Sequence, residues 1–121
     1  MNVLLLANDS LLLQTRAAVI RSTGAQVTAC RGEKFAAGAA GPEFAVAVLC
    51  HSIPRPERAR YMKRIASLWP EIKLVQLDIF GPKEASLVEN PVVISSEPEA
   101  LVTCLKRVWE TAQLPRKAAV D

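Results

Sequence analysis

Six consecutive apolar residues, Phe44-Ala45-Val46-Ala47-Val48-Leu49, leave a strand with no polar face. A segment of strand length that is apolar on both sides is buried between two layers, and in a parallel sheet those layers are helices. The run ends at Cys50-His51-Ser52-Ile53-Pro54. The carboxyl ends of central strands in such sheets are where ligands bind and chemistry is done, so Cys50 marks a candidate site. Three roles are open to a cysteine there: a nucleophile, a metal ligand, or the remnant of a site that has lost its chemistry.

Around this run, prolines and glycines punctuate the chain at short intervals: Gly24, Gly41-Pro42, Pro54, Pro70, Gly81-Pro82, Pro91 and Pro98. Residues 3–7 form an apolar run of strand length. Residues 10–23 carry Leu13, Ala17 and Ile20 at helical spacing and end at Gly24. Residues 26–30 suit a short strand, and residues 33–40 a weak, alanine-rich helix. Residues 56–68 predict a helix with Tyr61, Ile65 and Leu68 on one face and Pro56 in its first turn. Residues 72–77 and 92–95 suit the last two strands. Ser96-Glu97-Pro98-Glu99 has the spacing of a capping box, followed by a stripe of Leu101, Cys104, Leu105, Val108 and Ala112.

Alternating strands and helices predict an α/β fold with a parallel sheet between helical layers. With right-handed crossovers, five strands lead to a flavodoxin-like, doubly wound, five-stranded parallel sheet of order 2-1-3-4-5. The connection over residues 79–91 is short, so its helix, around residues 83–89, is expected to be short or absent. Residues 1–114 form one domain and residues 115–121 a short C-terminal tail.

The 121 residues are half hydrophobic and 22% charged, which excludes global disorder. No apolar run reaches the roughly 18 residues of a membrane span, and no leader pattern precedes residues 3–7, so the expected compartment is the cytoplasm. Cys30, Cys50 and Cys104 are odd in number and lack a CxxC, as expected of reduced thiols. With a single histidine they make a poor zinc set. The net charge is +3, with Arg55, Arg58, Arg60, Lys63 and Arg64 clustered against one acid, Glu57.

The ordered pieces Leu4-Leu5-Leu6-Ala7-Asn8-Asp9-Ser10, Cys50-His51-Ser52-Ile53-Pro54, Pro70-Glu71-Ile72-Lys73-Leu74-Val75-Gln76-Leu77-Asp78 and Pro98-Glu99-Ala100-Leu101 resemble a response-regulator receiver domain over nearly the whole chain. In that family an aspartate ending the third strand is phosphorylated and two acidic residues after the first strand hold magnesium. A hydroxyl after the fourth strand and a lysine after the fifth contact the phosphoryl group. A carboxylate nucleophile, a divalent ion and a nearby cation are what that chemistry requires. The resemblance places Cys50 at the phosphoacceptor, Asn8 and Asp9 at the acidic pair, Asp78 at the hydroxyl, and Ile94 or Ser95 at the lysine. The implied site is degenerate, with Asp9 alone retained.

Each singled-out residue also has a plainer role. Cys50 reads as a reactive thiol beside His51 or as a buried strand-end filler. Asp9 and Asp78, with Ser52, read as a weak magnesium-type site or as a helix cap and a solvated turn. The basic cluster reads as an acidic-partner or nucleic-acid surface or as a solvated helix face, the latter preferred because Tyr61 is its only aromatic residue. Trp69 and Trp109 are expected to pack on the sheet edges. By analogy with receivers, Leu87, Val88 and Trp109 are candidates for a partner face.

The resulting expectation is a stand-alone pseudo-receiver, non-enzymatic, that acts as a signalling protein-interaction or dimerisation module and is not switched by aspartyl phosphorylation. It needs no cofactor beyond a weakly held magnesium ion and has a protein partner, a second copy included. Membrane and nucleic acid are not expected. The alternatives are a cysteine-based enzyme or redox sensor using Cys50 and, further off, a conventional phosphorylatable receiver.

Overall fold

The apolar segments become the interior of one parallel sheet in the computed structural model, which describes residues 1–37, 43–84 and 86–113. The elements run β1 (Asn2–Leu6), α1 (Ser10–Arg21), β2 (Gln26–Cys30), α2 (Gly32–Ala37), β3 (Val46–Leu49), α3 (Arg55–Leu68), β4 (Lys73–Asp78), β5 (Val92–Ser95) and α4 (Pro98–Gln113). All pairings are parallel and the strand order is β2-β1-β3-β4-β5, as the alternation predicts. Among the described residues no helix is long and apolar enough to cross a membrane.

Alternating side chains divide the strands between two cores. Val3, Leu5, Val46, Val48, Val75, Leu77, Val92 and Ile94 pack with Ala17 and Ile20 of α1 and with Leu101, Cys104 and Leu105 of α4. On the opposite face Leu4, Leu6, Ala47, Leu49 and Leu74 pack with Phe35 of α2 and Ile65 of α3. All four residues of β3 are buried, so the two-sided apolar run has the setting its composition demands. Phe44 and Ala45 precede the ladder, and the Phe44 ring meets Trp69 edge-on at 5.1 Å.

Several boundaries move for identifiable reasons. The β4 ladder begins at Lys73, paired with Val46, and ends at Asp78, paired with Ser95, one residue later than the hydropathy places it. Pro54 caps α3, so the helix starts at Arg55 and Pro56 lies within its first turn. The predicted helix over residues 33–40 is seen as Gly32–Ala37, and residues 38–40 lie outside the described ones. The side chain of Ala112 and the tail at 115–121 also lie outside them. Ahead of α4 the Glu97 amide donates to Ser95 Oγ at 3.2 Å.

Among the described residues between β4 and β5 there is no helix. The connection is tied down by polar contacts. Lys73 Nζ donates to the carbonyls of Leu87 and Glu89, and Asn90 pairs with Leu74 N and Ile72 O at 2.8 and 3.2 Å. The Lys73 contacts satisfy two carbonyls of the connection that a helix would otherwise pair internally.

Candidate functional site

Parallel strands that start together end together, and four strand ends bring the candidate residues to one edge of the sheet. Asn8 and Asp9 follow β1, Cys50, His51 and Ser52 follow β3, Asp78 ends β4 and Ser95 ends β5. The Cys50 amide donates to Leu6 O at 2.9 Å, which carries the β1–β3 ladder one residue past the strand.

Cys50 is 1% exposed and belongs to the core beneath α1, together with Ala7 and Ala17. Burial pushes its thiol up from 9.0 to about 12, against a smaller opposing pull from Arg16. A thiol in that range stays protonated at neutral pH, and the protonated form is neither a nucleophile nor a metal ligand. No hydrogen bond joins it to His51 among the described residues. The filler role is the one its surroundings support. Cys104 is also buried and Cys30 half-buried, and burial raises both thiols.

Asp9 has a defined structural task. Its Oδ1 accepts from Leu11 N at 2.9 Å and Leu12 N at 3.0 Å, capping α1. Ser52 Oγ accepts from Asn8 N at 3.0 Å and Asp9 N at 3.4 Å, holding the turn after β1 against the turn after β3. Asp78 is equally engaged. Its Oδ1 accepts from Phe80 N at 3.3 Å, its carbonyl accepts from Gly81 N and Ser96 N, and its Oδ2 lies 3.8 Å from Arg55 Nη2. Ser95 is buried, with its hydroxyl spent on Glu97 N.

These engagements bear on the expected magnesium site. Ser52 and Asp9 each have oxygen lone pairs committed to amides, and Asp78 already faces a guanidinium in place of a divalent cation. Among the described residues no group of three or more His, Cys, Asp or Glu side chains is arranged to hold a metal.

The other candidates are dispersed. Leu87 is half-buried against the α1/α4 core, Val88 is 94% exposed, and Trp109 lines a separate cavity of about 290 Å³ with Met1, Thr23 and Ala25. Trp69 packs as expected, but Trp109 remains largely exposed.

Two features went unread in the sequence. Arg55 supplies the cation beside Asp78, a neighbour relation that follows from adjacent β3 and β4 in the predicted strand order. Arg58, assigned to a solvated face, is only 6% exposed. The signal was present, because Arg58, Tyr61 or Met62, and Ile65 share one helical stripe.

No protein-family model and no curated protein sequence matches the chain. Solved structures do. A protein assigned to pilus assembly (CpaE) from Burkholderia thailandensis superimposes with a TM-score of 0.68 at 19% identity, covering 91% of this chain and 98% of that one. A CheY-like response-regulator receiver domain from Methanospirillum hungatei gives 0.69 at 17% identity, with 93% and 96% covered. The BeF3-activated DrrB receiver domain gives 0.66 at 17%, with 90% and 97% covered. The chain has the receiver, flavodoxin-like fold.

Proposed function

We propose that the chain is a non-catalytic receiver-fold module that acts by binding another protein in signalling or assembly and is not switched by aspartyl phosphorylation. One observation carries this reading. The residue directly after β3, where the family it resembles has its phosphorylated aspartate, is Cys50, buried and with a thiol held protonated. An acyl phosphate needs a carboxylate nucleophile, and the two carboxylates at this edge are engaged in capping α1 and in the turn after β4. The likeness to a protein assigned to pilus assembly supports a receiver fold used in assembly.

Incubation of the folded chain with magnesium and acetyl phosphate, followed by intact-mass measurement, tests the proposal. The expected result is an unmodified mass. A stable acyl phosphate mapped to Asp9 or Asp78 would overturn it.

A further inference from the structure

We infer that the face of β4 and β5 beside α3 is a docking slot for an acidic amphipathic helix of another protein. The inference rests on the interaction-module reading and names the surface and the chemistry of its partner.

Parallel sheets have both faces covered by helices. Here α1 and α4 cover one face, α2 and α3 cover the other over β1, β3 and the start of β4, and among the described residues no helix lies between β4 and β5. Val92 and Ile94 enter the α1/α4 core, so Val93 points to the opposite face, where it is 38% exposed beside half-buried Gln76. At the top of this face, Ile79 and Phe80 are exposed, Phe80 by 95%. The uncovered strip has the place and direction of a missing helix.

Charge selects its occupant. Successive helical residues turn by about 100°. Tyr61 packs on Phe35 and Arg55 reaches Asp78, so Arg58 lies between them, toward β4. Its Nε is enclosed without a hydrogen-bond partner among the described residues, and the ion pairs found there do not include it. An enclosed guanidinium nitrogen without a hydrogen-bond partner is costly, and a carboxylate brought by a partner removes that cost. On the Arg55 flank of α3, Ala59 and Ala66 are small and exposed, which allows a helix to approach closely. A second copy is the poorer occupant. A twofold contact would bring Arg55 and Arg58 of one copy against those of the other.

Selection from a phage-displayed library of helical peptides about 16 residues long tests the slot, using the folded full chain as bait. Selected peptides should carry apolar residues at helical spacing flanked by Asp or Glu. A synthesised winner should shift the amide resonances of residues 59–66, 74–78 and 92–95. Binding should weaken at least about tenfold in Arg58→Met and Val93→Asp, each with circular dichroism and amide dispersion preserved. Failure to enrich peptides, enrichment of basic or neutral ones, or undiminished binding by both variants would overturn the slot. Amide shifts confined to α4 around Trp109 would overturn it too, while leaving the interaction-module reading standing. Sedimentation showing a dimer that Val93→Asp dissociates would assign the face to a second copy and likewise overturn the inference. Acetyl phosphate labelling is a separate readout, so the two proposals fail independently.

Discussion

The Ser52 hydroxyl accepts the Asn8 amide at 3.0 Å across 44 positions of sequence. It fastens the turns that follow the two central strands, and a backbone N–H at this half-buried edge is left without that partner when the hydroxyl is removed. Ser52→Ala should lower the free energy of unfolding by about 1 kcal/mol, read as a fall in the urea midpoint at unchanged slope.

The Cys50 thiol links stability to alkaline pH. Its pKa is raised from 9.0 in the unfolded chain to about 12 in the fold, so between those values the unfolded state releases a proton that the native state keeps. The contribution is fully present below pH 9 and is lost as pH rises toward 12, with a slope of at most about 1.4 kcal/mol per pH unit. Urea melts from pH 8 upward should show this decline, and Cys50→Ala should show a shallower one from a lower starting stability.

Asp9 acts on α1 through two amides, those of Leu11 and Leu12. Asp9→Ala should cost about 1 kcal/mol, and Asp9→Ser, which can still cap, should recover most of that loss in the same urea melts.

Gly81 and Gly24 are fixed by different constraints. A Cβ on Gly81 would lie 2.5 Å from the carbonyl carbon and oxygen of Ile94, which are backbone and cannot rotate away. Gly24 has open space around it but holds φ at +91°. Gly81→Ala should destabilise by about 1–3 kcal/mol and shift the β5 amide resonances. Gly24→Ala should cost about 1–2 kcal/mol while leaving β5 unmoved.

The sheet was legible because its signal is hydropathy over whole segments. Residues 26–30 and 92–95 become β2 and β5 without adjustment, and the order of strands follows from the alternation of elements and the handedness of crossovers. The single-residue shift of β4 was not legible, because register depends on which residue of β3 faces Lys73.

The edge of the sheet was read as a set of positions more than as a set of contacts. Topology placed Asn8, Asp9, Cys50, Asp78 and Ser95 together, but Ser52 binding the β1 turn is a long-range contact that spacing does not encode. Arg58 was misassigned because its charge outweighed its position on the stripe with Ile65.

The Pro82 carbonyl accepts the Ser95 N–H at 2.8 Å, while the next amide, Ser96 N, turns the other way to Asp78 O at 3.0 Å. Ser95 therefore presents its hydrogen on the outer border of the sheet, and a proline that has no N–H of its own already occupies it. A foreign strand laid along β5 would have to evict that carbonyl to reach the Ser95 amide. One outward amide of the four-residue border strand is thereby closed to an incoming strand.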